Sequence, residues 1–178
     1  MLVILTCEKI ENPLSSKNKV DSPILFAQYH INYAWGYQYS GWYVDKKGQI
    51  YEVDENAEIK LDNIRPDTIF SEKIMVELLQ SASKTSKYIN EQVLLEMKKL
   101  IIPASFGQLT KPINVCMDFG TVYYFTFMRN REDTGYQAIL LYQAGDWAQK
   151  NLSQQAAELF ELLREFVEDD KTQLPCSP

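Results

Sequence analysis

The stretch Trp42-Tyr43-Val44, Asp45-Lys46-Lys47-Gly48, Ile50-Tyr51-Glu52-Val53 constrains the fold more than any other part of the chain. Two runs of β-branched and aromatic residues flank four turn-forming ones, which is the pattern of a hairpin. Aspartate suits the entry of a type I turn. Gly48 can take the left-handed conformation that closes it, which β-branched residues resist. An antiparallel pair is therefore expected here, and the neighbouring segments have to build on it.

Ile24 to Tyr33 reads as a preceding strand, with Gly36 marking a bend or bulge. After an irregular stretch broken by Pro66, Ser71 caps a helix running to about Ala82, with Ile74, Met75, Leu78 and Leu79 along its apolar stripe. Ser83 to Lys87 reads as a polar connector. Asn90 caps a second helix that buries Val93, Met97, Leu100 and Ile101, and Pro103 ends it at Ile102. Val115 to Met128 and Tyr136 to Gln143 read as long strands joined by a charged loop closed by Gly135. A last amphipathic helix covers Ser153 to Val167, with Leu159, Phe160, Leu163 and Phe166 on its apolar face.

This order predicts a single α+β domain over residues 24–170: an antiparallel β-sheet with about three α-helices packed on one face. Residues 1–23 form an apolar start and polar tether outside it, and residues 171–178 a frayed tail. The other face of such a sheet would be open to solvent and carry many Tyr and Trp side chains.

A net charge of −6 and a pI near 4.9 oppose binding to a phosphate backbone, so no nucleic acid partner is expected. No stretch approaches the ~20 apolar residues of a membrane-spanning helix. Cys7, Cys116 and Cys176 are too far apart for a zinc site, and the single histidine, His30, adds no closely spaced ligand, so no metal and no cofactor is expected. A Cys116–Cys176 disulfide stays open, because sequence does not give the separation of the two backbones.

"MLVILTC" followed by the polar "EKIENPLSSKNKVDSP" has the order of a lipoprotein signal and its tether, with Cys7 as the lipidated residue. The apolar run falls short of an export core of about 7–15 residues. It is read as the remnant of a longer signal. The alternative is a short first strand, Leu2 to Leu5, with Cys7 a buried thiol.

Catalytic motifs are sparse. "MDFG" at Met117 to Gly120 echoes a kinase metal-binding element, but the glycine-rich loop, strand lysine and catalytic loop are missing; Asp118 is expected to accept backbone hydrogen bonds. Asp146 could act as a general base, yet Gly145-Asp146 reads more simply as a turn, with Trp147 packed on the sheet and Ser153 capping a helix. His30 paired with Asp118 or Asp146 would make a small hydrolase; a structural histidine is the simpler reading.

Eight tyrosines and tryptophans fall within the 23 residues from Tyr29 to Tyr51, nearly three times the chain-wide aromatic share of 12%. As a strand face, Tyr33, Trp35, Tyr37 and Tyr39, with Trp42 beyond, could stack a sugar, a peptide or a partner protein. The same rings could instead fill the core. These five are the candidate binding residues, with no catalytic residue assigned.

"YAWGYQYSGWYVDKKGQIY", "DFG…Y", "ILLYQAGD" and the Asn151-Leu152-Ser153 opening of the last helix together resemble a family of small uncharacterised bacterial lipoproteins. The resemblance covers most of the chain from residue 24 onward. It implies a cell-envelope location, a lipid anchor at Cys7 as the membrane contact, and no established activity. The function expected is thus a non-enzymatic, envelope-associated binding domain for a protein, peptide or carbohydrate. A cytoplasmic, acidic interaction protein of the toxin-neutralising immunity type is the alternative, and the small hydrolase another.

Overall fold

A computed structural model describes residues 19–62, 64–167 and 176. Cys7 and the rest of the expected signal, as well as most of the expected tail, lie outside the described residues. The strands are β1 (Ile24–Asn32), β2 (Gln38–Asp45), β3 (Gln49–Asp54), β4 (Ile69–Phe70), β5 (Ser83–Tyr88), β6 (Ile113–Asn114), β7 (Thr121–Arg129), β8 (Tyr136–Gly145) and β9 (Trp147–Lys150). The helices are α1 (Glu72–Ser81), α2 (Glu91–Ala104) and α3 (Gln154–Phe166). The strands form a nine-stranded antiparallel sheet in the order β5-β3-β2-β1-β7-β8-β9-β6, with β4 added to β8. The α+β class, the antiparallel sheet and the three helices are as expected.

The hairpin forms for the reasons its residues suggested. Asp45 Oδ1 accepts the Lys47 and Gln49 backbone N–H groups at 2.8 and 2.9 Å. Gly48 has φ +87°, and a Cβ there would meet the Ile89 carbonyl oxygen at 2.5 Å, so both conformation and space call for glycine. Ser71, Asn90 and Ser153 cap the three helices as expected, each side chain accepting an N–H three residues on.

The helices do not all share one face. α2 and α3 cover one side of the sheet, where Met97, Ile101, Leu159 and Leu163 pack on Trp42, Val44, Val122 and Tyr124. α1 and the connection before it cover the other, where Met75, Leu78, Leu61 and Ile64 pack on Tyr29, Tyr43, Phe125 and Phe127. Burying each of these large side chains contributes about 1.5–3 kcal/mol. Phe125 and Phe127 share a face by plain alternation along β7, while a register shift opposite Tyr124/Phe125 leaves Leu141 of β8 unpaired and puts it on the same side as Tyr142; a second irregularity at Ile24/Phe26 places Leu25 and Phe26 together. The open outer face expected from the sequence is therefore closed over its centre.

Three local expectations change. Ser83 to Lys87 is not a connector but edge strand β5; both its faces are largely exposed, so no apolar alternation marks it. It is held by Gln49 Nε2, which donates to the carbonyls of Thr85 and Lys87. Val115 to Gly120 is a loop rather than the start of a strand, with Asp118 and Gly120 both at positive φ. α2 continues through Pro103 to Ala104, and Ser105 closes it through its N–H to Ile101 and Ile102.

Candidate functional site

Three connections converge at one end of the sheet. Asn32 pairs with Gln38 across the loop of residues 33–37, Ile31 pairs with Thr121 at the start of β7, and Thr121 pairs with Gly145 at the end of β8. The 33–37 loop, the 115–120 loop and the Gly145-Asp146 corner therefore sit side by side. Tyr33, Trp35 and Tyr37 are 60%, 77% and 41% exposed; Met117, Phe119 and Trp147 are exposed beside them. Together they form an apolar rim.

The five candidate binding residues divide. Tyr33, Trp35 and Tyr37 belong to the rim, whereas Tyr39 and Trp42 are only 3% and 8% exposed and belong to opposite cores. The reason is register: β1 ends at Asn32 and the chain turns at Gly36 (φ +98°), so residues beyond Gln38 re-enter the sheet interior. Met117 and Phe119 were not singled out as ring or rim residues, and Trp147 was expected to pack on the sheet. A run of large apolar residues in a glycine-closed loop was the available signal.

The rim rests on a ladder of rings that runs into the core. Tyr33 contacts Tyr37 at 5.7 Å between centroids, and Tyr37 stacks on Tyr39 at 6.5 Å. Tyr39 stacks on Tyr29 at 5.8 Å, and Tyr29 on Tyr123 at 4.8 Å. Lys60 Nζ lies 5.4 Å above the Tyr37 ring, a cation–π arrangement. Deeper, the Tyr39 hydroxyl donates to the Leu61 carbonyl at 2.8 Å.

Burial raises the pKa of Tyr29 and Tyr39 far above the ordinary phenol value and pushes Tyr43 up to about 12. The unfolded chain then ionises first as pH rises, so stability is lost from about pH 10 upward, by about 1.4 kcal/mol per unit of separation for each buried phenol. For Tyr43 this loss accumulates between its ordinary value of 10.0 and about 12. The expected result is a falling denaturation midpoint above pH ~10 that the Tyr43→Phe variant lessens. A midpoint independent of pH across that window refutes it.

The 115–120 loop is pinned from several sides. Asp146 Oδ1 accepts the Phe119 N–H at 3.1 Å and Oδ2 the Gly120 N–H at 3.2 Å. His30 Nε2 lies 3.0 Å from the Phe119 carbonyl, and Asn32 Nδ2 donates to the Asp118 carbonyl at 3.2 Å. At Gly120 (φ +73°) a Cβ would meet the Ile31 carbonyl oxygen and His30 Nε2. Cys116, one residue before Met117, is disulfide-bonded to Cys176 across a sequence separation of 60, with the Cα atoms 6.1 Å apart. This places Cys176, within the expected tail, against the rim loop.

Asp146 thus plays the backbone-accepting part expected of Asp118. His30 and Asp146 both hold residues 119–120, and among the described residues no hydrogen bond or ion pair joins His30 to Asp118 or Asp146. His30, Ser40 and Asp54 do fall in one cross-strand row, but serine is the middle member. The His30 ring bonds toward β7, away from Ser40. That order lacks the base-between-acid-and-nucleophile arrangement of a catalytic triad.

Another groove, of about 690 Å³, opens over β1, β2 and β3 and is lined by Gln28, Ser40, Glu52 and Asp54 around the buried Trp42. It presents side-chain polar groups without an exposed ring. Among the described residues, no cluster of three or more His, Cys, Asp or Glu side chains could hold a metal ion. No protein-family model and no curated protein matches the chain.

Proposed function

We propose that this chain is a non-enzymatic binding domain of the cell envelope that engages a protein, peptide or carbohydrate through its aromatic rim. The observation that carries the reading is the convergence of six exposed large apolar side chains from separate connections onto one end of the sheet. Contiguous exposed apolar surface is costly to leave in water and commonly marks an interaction site. The polar network beneath the rim supports the same reading. A loop already held by Asp146, His30 and Asn32 loses less conformational freedom when a ligand docks. The Cys116–Cys176 disulfide favours an oxidising compartment, in keeping with export.

The test is retention of partners from an extract of the source cells by the immobilised chain. A Trp35→Ala/Phe119→Ala variant should lose what the native chain captures. A Leu95→Ala/Phe106→Ala variant, altered at exposed apolar residues elsewhere, should keep it. Equal capture by the native chain and the rim variant would refute the proposal, as would loss in the Leu95/Phe106 variant alone.

A further inference from the structure

The rim borders a groove of about 450 Å³ whose walls include the rings of Tyr33, Tyr123 and Trp147, with Asp118, Asn32 and Asp146 among the polar residues. Which polar groups remain available decides what such a groove can hold. Asn32 is engaged at both ends of its amide, donating to the Asp118 carbonyl and accepting the Ala34 N–H at 2.8 Å. The Asp146 carboxylate is committed to the two backbone N–H groups of the loop. The Asp118 carboxylate is exposed and accepts no hydrogen bond from the described residues. No Lys, Arg or His lines the groove.

What is left is a set of ring faces, with the phenol and indole donors of Tyr33, Tyr123 and Trp147, and one carboxylate. The charged residues that line the groove, Asp118 and Asp146, are both negative, so an anion is repelled there. A cation is favoured, because the negative face of an aromatic ring and a carboxylate both attract it. The rings are also backed rather than loose: Tyr33 against Tyr37, and Tyr123 against Tyr29. The molecule already uses one neighbouring ring in this manner, with Lys60 over Tyr37. The net charge of −6 adds a long-range attraction for a basic partner.

We propose that the groove between Tyr33, Tyr123 and Trp147 receives a basic side chain, lysine or arginine, of a polypeptide partner, with Asp118 as its counter-ion. This rests on the rim being a binding surface and narrows the partner from any apolar ligand to a basic polypeptide. The rim's exposed Trp35, Met117 and Phe119 then pack on the apolar surface flanking that side chain, as anchors do around a charged contact.

The full chain is titrated with a short arginine-rich peptide, a glutamate peptide of equal length and tetramethylammonium chloride, read by backbone amide shifts and tryptophan fluorescence. The native chain should bind the basic peptide, ignore the acidic one, and bind tetramethylammonium more weakly at the same residues. Asp118→Asn and Trp147→Leu should each weaken peptide binding by about three- to tenfold, with native affinity also falling as salt is added. Asparagine tolerates the φ of +68° at position 118, so that variant retains the loop. Unchanged affinity in both variants, equal binding of the acidic peptide, or no peptide binding overturns the inference. Tighter binding of tetramethylammonium than of the peptide overturns it too, and assigns the groove to a small cation. If Trp35→Ala/Phe119→Ala loses its captured partner while the basic peptide fails to bind, this inference falls and the binding-domain reading stands. If the extract captures nothing that depends on the rim, both fall.

Discussion

Opening the Cys116–Cys176 disulfide is expected to lower the unfolding free energy by about 4 kcal/mol, the chain-entropy value for a loop of roughly this length. The bond closes a span of 60 residues that includes β7, β8, β9 and α3, and so removes many conformations from the unfolded chain. Its effect on the native state is narrower. Asp146, His30 and Asn32 continue to hold residues 118–120 when the bond is open, so the rim loop should keep its shape. Cys116→Ser and Cys176→Ser should each reproduce the effect of a reductant, and the double variant should add nothing further. Urea denaturation with and without dithiol is the measurement. A loss below about 1 kcal/mol, or variants that differ strongly from the reduced native chain, would show that the bond does not constrain the unfolded state in this way.

Replacing Asp146 with alanine should have the opposite balance, with a smaller global loss and a larger effect on the rim. Its carboxylate is the acceptor for two consecutive N–H groups, and hydrogen bonds to a charged acceptor contribute about 1.5–3 kcal/mol each. Phe119 N–H lies near solvent, where water substitutes for the lost acceptor, so the combined loss should be about 3 kcal/mol rather than the upper sum. The Gly120 N–H is part-buried and bears more of that cost. Asp146→Asn keeps one acceptor oxygen and should lose about half as much. Hydrogen exchange at Phe119 and Gly120 should quicken in Asp146→Ala well before exchange in β1 or β7 changes. Uniform acceleration across the sheet would mean that Asp146 supports the whole fold rather than the loop.

Much of the architecture was legible because it is local. The Asp45 to Gly48 turn, the caps at Ser71, Asn90 and Ser153, and the apolar stripe of α3 each depend on residues within one turn of helix or hairpin. β5 was not legible, because an edge strand exposed on both faces carries no alternation, and its partner Gln49 lies far away in sequence. The 115–120 segment looked like a strand because Val115 and Phe119 suit one. Its backbone instead turns at Asp118 and Gly120 to meet Asp146, a contact the sequence cannot place.

The aromatic cluster divides along the same line. Its composition, Tyr- and Trp-rich with a glycine at its centre, determined that large rings would lie near a bend in an antiparallel pair. Only the tertiary structure decided which rings face water. Burial depends on what covers each face, and α1 with its preceding connection covers Tyr29, Tyr39 and Tyr43, touches the half-exposed Tyr37 through Lys60, and leaves Tyr33 and Trp35 to solvent. The sequence likewise supplied Met117, Phe119 and Trp147 as ordinary apolar residues. Antiparallel pairing of β1 with β7 and of β7 with β8 brought them beside Tyr33, because strand register, a long-range property, sets which loops meet.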